Sequence, residues 1–249
     1  MFGNYAFKDC ASMRDITWLP KNLTSFGVGC FQGCSSLVSL KGLDLTKVTS
    51  VPDESFYGCQ QLQTLEYLPD NLSAIGARVF KGCKTFKNIN DLPQTVCSLG
   101  TECFSECTGM TDILYPPEAL ESIGDRCFEG CTALESLYLS GNVTSMGDEA
   151  FKDCTALTNI LSESSAVPSI TESTFGGENP IVYVPENLLG AYQSDSVWGT
   201  FVVKKFGVYE FSLEDIASRT TLLSTTSNLV SDSVWTISFG DGDKPQRYS

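Results

Sequence analysis

Apolar residues recur along the chain with a period of about 24 residues. A phenylalanine opens each unit and a cysteine follows three positions later, except in the eighth unit, where Glu178 replaces the cysteine after Phe175. Such a period predicts a solenoid, because one unit cannot bury its own apolar face and must stack on its neighbours. The seven complete pairs are Phe7 and Cys10, Phe31 and Cys34, Phe56 and Cys59, Phe80 and Cys83, Phe104 and Cys107, Phe128 and Cys131, and Phe151 and Cys154.

Two further apolar positions follow each cysteine, three and six residues later. After Cys131 these are Leu134 and Leu137, and the second lies in the alternating segment Ser136-Leu137-Tyr138-Leu139. Alternation of polar and apolar residues predicts a half-buried strand, as it does for Thr64-Leu65-Glu66-Tyr67. One short strand per unit is also the pattern of a leucine-rich repeat, so stacking would join the strands into a parallel sheet.

The segment around each Phe-x-x-Cys pair carries acidic residues first and then an apolar i, i+3 pair. In residues 147–154 this composition predicts one or two helical turns. The expected fold is therefore an α/β right-handed leucine-rich-repeat solenoid of about eight coils. Its short parallel strands would line the concave face and its short helical turns the convex face.

The repeat resembles the BspA-type leucine-rich-repeat family. The resemblance rests on Phe-x-x-Cys-x-x-Leu-x-x-Ile with closers such as Ile123-Gly124, extends over roughly residues 5–185, and is best in residues 143–157. It implies a surface or secreted protein of a host-associated bacterium or protist, linked to adhesion and to binding host proteins. It implies no catalytic residues, and the family motif fixes no binding residues.

The chain is expected to divide into three parts. Residues 1–185 would be the solenoid and residues 186–205 its cap, because Tyr192 and Trp198 resemble the aromatic residues that close related stacks. Residues 206–249 read as a small β-rich appendage or a truncated module, since residues 234–239 alternate before a Gly-Asp-Gly turn. A calcium site at Asp241 and Asp243 is the less favoured alternative to a plain turn, so no cofactor is predicted.

The eleven cysteines invite three interpretations. Seven form one column up the stack, and Cys30, Cys103 and Cys127 occupy the position before Phe, where other units place small residues. Buried free thiols are the favoured interpretation, because thiols fit small apolar sites. Disulfides and a metal site remain alternatives, although parallel side chains suit disulfide geometry poorly. Cys97 alone lies outside the pattern.

Charge and composition reduce the number of function classes that fit this chain. The net charge is −14, with +2 in residues 1–87, −15 in residues 88–203 and −1 in residues 204–249. This balance argues against sequence-independent binding of nucleic acid or anionic lipid. The chain has no histidine, which excludes histidine-based catalytic pairs and metal sites. No apolar run is long enough for membrane insertion.

The most promising binding residues face outward from the predicted strands. In the first outward row every residue is polar, whereas the second row ends in three consecutive apolar residues. An apolar patch flanked by polar residues is typical of a protein-binding surface. Burial under a neighbouring loop is the alternative. The candidate ligand-binding residues are Asp112, Leu114, Ser136, Tyr138, Asn159 and Leu161.

The sequence thus predicts a non-enzymatic cell-surface or secreted protein that binds a protein ligand, such as a host extracellular or matrix protein. An intracellular or particle-associated scaffold is the first alternative, since the chain shows no signal peptide. A carbohydrate-binding surface protein is the second. Because Phe7 opens the first unit with little before it, we also expect a fragment or cleaved product of a longer protein.

Overall fold

The structure is a computed structural model of the 249-residue chain. It describes residues 1–17, 23–41, 45, 47–64 and 68–206, and the backbone of three strands beyond them. The solenoid strands are β1 Ala74–Ile75, β2 Ser98–Leu99, β3 Asp112–Ile113, β4 Ser122–Ile123, β5 Ser136–Leu139, β6 Ser145–Met146, β7 Asn159–Ser162, β8 Ile181–Val184 and β9 Val202–Lys205.

These strands form two parallel sheets that run along the stack. The short sheet has the order β1-β2-β4-β6, and the long sheet has the order β3-β5-β7-β8-β9. Each pairing advances by one coil, so that Leu99 lies opposite Ile123 in the short sheet and Leu137 opposite Ile160 in the long sheet. The predicted parallel-strand solenoid is therefore confirmed, and the predicted strand at Ser136–Leu139 is β5.

Two details of the predicted fold need correction. The first is the number of coils: bridges at Val51 and Ser169 extend the short sheet to six rows, so strand pairing among the described residues joins about six coils, not eight. The short sheet also shows that a coil has a second strand, which the sequence did not predict. These strands are formed by the apolar closers, and their two-residue length is too short to show alternation in the sequence. The predicted strand at residues 64–67 lies mostly outside the described residues.

The second correction concerns the predicted helical turns. Residues 147–154 form consecutive turns, not a helix, because Glu149 and Asp153 have φ values of 55° and 60°. Left-handed residues interrupt a right-handed helix. Alternate backbone N–H groups of a turn segment instead donate to the next coil, as from Phe128 to the carbonyl oxygen of Ala150 at 2.8 Å, and those between them bond within the turn, as from Cys131 to Phe128 at 3.1 Å. The turn segments are thus held by the same coil-to-coil bonding as the strands.

A column of phenylalanine rings fills the interior along its whole length. Ring centroids of successive coils are 5.3 Å to 5.7 Å apart, and the rings are inclined by at most 18°. These distances lie within the range of favourable offset stacking. The column contains Phe7, Phe31, Phe56, Phe80, Phe104, Phe128, Phe151 and Phe175.

The cysteine column has a hydrogen-bonding role besides packing. The thiol of Cys131 lies 3.3 Å from the carbonyl oxygen of Phe104 in the preceding coil, and the other five buried members repeat this contact. A thiol is a weak donor, so cysteine combines a small apolar volume with one extra link between coils. Nine cysteines are buried free thiols, Cys97 is partly buried, and Cys10 in the first coil is exposed.

The last coil is covered by α1 Glu186–Ser194, a 3-10 helix Trp198–Thr200 and β9. Tyr192 and Trp198 are fully buried there. The indole of Trp198 donates to the carbonyl oxygen of Pro168 at 2.7 Å, and the hydroxyl groups of Tyr192 and Ser162 are also 2.7 Å apart. These aromatic side chains extend the phenylalanine column, since Trp198 packs beside Phe175.

Beyond residue 206 the described backbone contains three strands. They are β10 Tyr209–Ser212, β11 Asn228–Leu229 and β12 Val234–Ile237, paired antiparallel in the order β10-β12-β11. The predicted Gly-Asp-Gly turn, and with it Asp241 and Asp243, lies outside the described residues. The division into three parts stays a prediction.

Removal of one ring from the middle of the phenylalanine column is expected to destabilise the solenoid strongly. Phe104→Ala should lower the free energy of unfolding by about 3–5 kcal/mol, because the cavity interrupts stacking on both sides. Phe7→Ala should cost less, since Phe7 is only partly buried and stacks on one column member. Urea unfolding followed by circular dichroism measures both values, and equal losses would contradict the column's role.

Burial of the thiols predicts a loss of stability in alkali. Desolvation raises the pKa of Cys30 to about 11 and those of Cys34 and Cys154 to about 12. The unfolded thiols ionise first, near pH 9, so the unfolded chain binds fewer protons above that pH. Stability is therefore complete below pH 9 and falls as the pH rises, by about 1 kcal/mol per buried thiol at pH 10.

The same measurement has an internal control. Alanine replaces cysteine at the position before Phe in other coils, as at Ala150, so Cys30→Ala with Cys103→Ala should fold normally. This variant should lose about 2 kcal/mol less than the parent between pH 8 and pH 10. Parallel stability curves for the two proteins would show that the thiols do not cause the pH dependence.

Candidate functional site

The outward face of the long sheet holds the predicted binding residues. Along β5 and β7, partly buried and buried side chains alternate because successive strand residues point to opposite sides. Leu137 and Ile160 point into the core, whereas Ser136 and Tyr138 point outward. Since the pairing is in register from coil to coil, equivalent outward residues form straight rows across the strands.

The structure brings the six candidate residues together. In the first row Asp112 lies opposite Ser136, and Ser136 lies opposite Asn159. In the second row Tyr138 lies opposite Leu161. Leu114 directly follows β3 and is 38% exposed. The other five are partly buried, as is usual for side chains that lie against their neighbours on a sheet.

The apolar surface continues further than the repeat pattern predicts. On β8, Ile181 extends the first row and Tyr183 the second, and on β9 the first row continues to Val202, which is 60% exposed. The repeat is degenerate in these segments, so its spacing does not place them in the rows. We call the accessible part of this surface the outer apolar face, and its residues are Leu114, Tyr138, Leu161, Ile181 and Val202. Tyr183 of the second row is buried, and the exposed Lys204 of β9 follows it in that row.

A short hydrogen bond fixes Tyr138 within this face. Its hydroxyl donates to Oε2 of Glu163 at a distance of 2.5 Å. Burial and the neighbouring Glu163 carboxylate raise the pKa of Tyr138 well above its ordinary value, and Glu118 adds to this effect. The phenol therefore stays neutral, and its ring is held across the rows as a rigid contact surface.

The charges around the outer apolar face differ from those on the turns. On the turns acids and bases alternate from coil to coil: Arg78 pairs with Glu54 at 2.8 Å, and Arg126 pairs with Glu149 at 2.6 Å. Beside the outer apolar face, Asp112 and Glu163 have no ion pair within the described residues. Lys204 on β9 is the basic residue at the end of the second row, and the carboxylates of Asp112 and Glu163 are not paired with it.

In earlier coils the same rows are polar. They carry Ser39 and Lys41 in the second coil and Asn88 and Asn90 in the fourth, whereas Glu66 of the third lies outside the described residues. The change from polar to apolar falls between Asn90 and Leu114, which are equivalent positions of adjacent coils. The face therefore has two chemically distinct halves on one continuous scaffold.

Metal-binding clusters and membrane-spanning helices are both missing from the described residues. Within those ranges, no group of three or more cysteine, aspartate or glutamate side chains is arranged to hold a metal ion. None of the helices in the described part of the chain combines the length and apolar character needed to cross a membrane.

The stacked coils, the two parallel sheets and the leucine-type core positions define a leucine-rich-repeat protein. The sequence pattern described as BspA type leucine rich repeat region matches residues 1–90 and 49–182, in six copies. Because these matches span more than half of the chain, it belongs to the BspA-type leucine-rich-repeat family. The resemblance found in the sequence is thereby confirmed. No curated protein matches the chain in sequence.

Solved structures of leucine-rich-repeat proteins are similar to this chain. A leucine-rich cell-surface protein of Faecalibacterium prausnitzii A2-165 is 26% identical, with a TM-score of 0.55, over 68% of this chain and 44% of that protein. This similarity supports the fold, and the chain spans less than half of that protein. A leucine-rich repeat protein of Bacteroides ovatus is 24% identical, with a TM-score of 0.47, over 75% and 54%. The leucine-rich repeat protein of T. pallidum is 22% identical, with a TM-score of 0.44, over 80% and 72%.

Proposed function

We propose that this chain is a non-enzymatic cell-surface or secreted protein that binds a protein ligand through the outer apolar face. One observation carries the proposal: five apolar side chains form two adjacent rows on the outward side of a sheet whose inward side is the core. Contiguous apolar surface rimmed by polar residues is characteristic of protein-binding sites on soluble domains. Asp112, Ser136 and Asn159 supply the polar border.

The rigidity of this face favours binding. Parallel backbone pairing fixes β5, β7, β8 and β9 relative to one another, and the hydrogen bond to Glu163 fixes the ring of Tyr138. A preformed surface loses little conformational entropy when a ligand binds. Tyrosine also contributes a large contact area with only two rotatable side-chain bonds, so Tyr138 is suited to anchor a ligand.

The charge around the face indicates which ligands it favours. Residues 88–203 carry a net charge of −15, and Asp112 and Glu163 border the apolar rows. A protein ligand that presents apolar side chains next to lysine or arginine would match both features, because complementary potentials speed association and disfavour acidic competitors. Host extracellular and matrix proteins with such surfaces are the ligands we propose.

The proposed location rests on similarity. The F. prausnitzii protein, at 26% identity, is a cell-surface protein, and this chain shares its repeat fold. A binding face formed by stacked repeats suits a protein exposed to large extracellular ligands, because it offers broad contact without a chemical site.

Disruption of the outer apolar face is expected to weaken ligand binding at least tenfold. Leu114→Asp combined with Val202→Asp places two charges on exposed positions of the face, where they must be desolvated on binding. Surface plasmon resonance against a panel of purified host extracellular and matrix proteins identifies a ligand and then measures the loss. Binding should also weaken as the salt concentration rises, since the face is anionic.

A control variant separates this effect from the added charge itself. Thr132→Asp combined with Thr155→Asp places the same two charges on exposed turn positions away from the long sheet. This control should bind the ligand like the parent protein, and all three proteins should unfold at similar temperatures. Equal binding by the parent and the Leu114/Val202 variant would refute the proposed role of the face.

A further inference from the structure

The outer apolar face changes rows as it runs along the stack. On β3, β5 and β7 its members belong to the second row, and on β8 and β9 they belong to the first row. The change falls between Leu161 and Ile181, which are diagonal neighbours on adjacent strands. The face is therefore one oblique band. Paired strands are about 4.8 Å apart, so the four steps from β3 to β9 make the band about 19 Å long.

The spacing of the band selects the conformation of a ligand that follows it. One turn of an α-helix rises 5.4 Å, so over the two steps from Leu114 through Tyr138 to Leu161 a helix deviates from the strand spacing by only about 1.2 Å. An extended ligand places same-side residues about 6.7 Å apart and deviates by about 4 Å over those steps, which is almost a whole coil.

A ligand that runs parallel to the strands instead meets little of the band. The longest strands have four residues, and only two of these point outward, as Ser136 and Tyr138 do on β5. Such a ligand would contact one apolar residue of the face on each strand that it follows. The shape of the band thus favours a helix that lies along the stack.

The band is acidic at the end formed by β3, β5 and β7. Asp112 borders it in the first row, and the carboxylate of Glu163 lies against the hydroxyl of Tyr138. Glu118 is exposed and is close enough to act electrostatically on the same phenol. None of these three carboxylates forms an ion pair within the residues that the structure describes.

The band is basic at the end formed by β9. Lys204 is exposed in the second row, next to the first-row position of Val202. The adjacent Lys205 forms an ion pair with Glu186 at 3.0 Å, so of these two lysines Lys204 is the one available to a ligand. The two ends of the band therefore attract opposite charges.

We infer that the outer apolar face binds a single amphipathic α-helix of its protein ligand, with basic residues over the acidic end and an acidic residue over Lys204. This inference rests on the proposed function. About 13 helical residues cover the band, and apolar side chains at i, i+3 or i+4, and i+7 would contact it. A helix is stabilised by acidic residues in its first turn and basic residues in its last, so the bound helix would run from β9 toward β3.

The probe is a synthetic helical peptide of about 14 residues, with leucines along one face, glutamates in the first turn and lysines in the last turn. Fluorescence anisotropy with the full chain should give a dissociation constant on the order of 100 μM. A peptide with the glutamates and lysines exchanged should bind at least fivefold more weakly. A peptide with a central proline should bind at least tenfold more weakly, because proline breaks the helix.

A charge-reversed protein gives the reciprocal test. Asp112→Lys combined with Lys204→Glu should bind the charge-exchanged peptide at least fivefold more tightly than the original one. The equivalent of Asp112 in other coils is asparagine or serine, so the fold does not need a carboxylate there. The Thr132→Asp and Thr155→Asp control should bind the original peptide like the parent, and all variants should unfold at similar temperatures.

Three results would overturn the inference. They are equal binding of the proline peptide and the helical peptide, which would indicate an extended ligand, equal binding of the two charge arrangements by the parent, and no binding of the helical peptide below about 2 mM. A host ligand that still loses binding to the Leu114→Asp and Val202→Asp variant would then support the proposed function and reject the helix. A host ligand unaffected by that variant would reject the proposed function itself.

Discussion

Hydrogen bonding between the backbones of successive coils is the constraint on which the rest of this protein depends. It forms both sheets, and it also holds the turn segments, where the N–H of Phe128 reaches the carbonyl oxygen of Ala150. This bonding sets the coils at one fixed spacing, so every side chain has an equivalent neighbour directly above and below it. The stacked phenylalanine rings and the thiol contacts, such as that from Cys131 to Phe104, follow from that spacing.

The same constraint explains what could be predicted from the sequence. A period of about 24 residues reveals the coils, and alternation in Ser136-Leu137-Tyr138-Leu139 reveals which side chains face outward, because both patterns arise from the stack itself. The prediction of helical turns around Glu149 is wrong, since an acidic start and an i, i+3 apolar pair fit a helical turn as well as the observed run of turns. These two conformations differ only in their positive φ values and in their bonding to the next coil. Neither feature can be read from the residue composition.

The candidate site was predictable only in part for a related reason. Leu114, Tyr138 and Leu161 occupy equivalent positions of complete repeats, so the spacing of the repeat alone places them side by side. Ile181 and Val202 lie where the repeat is already degenerate, and their place in the rows depends on how β8 and β9 pair with β7. The hydrogen bond from Tyr138 to Glu163 joins residues 25 positions apart in adjacent coils, outside any repeated motif.

Because the inward positions carry the packing, the outward positions are free to differ from coil to coil without disturbing the fold. Asn90 and Leu114 illustrate this: they are equivalent, yet one belongs to the polar half of the rows and the other begins an apolar surface. Backbone bonding between coils does not involve either side chain, so their exchange changes recognition more than stability. A solenoid of this kind can therefore carry outward residues of different chemistry side by side on one sheet. Its specificity then depends on the order of outward residues along the rows, not on a single cluster of reactive groups.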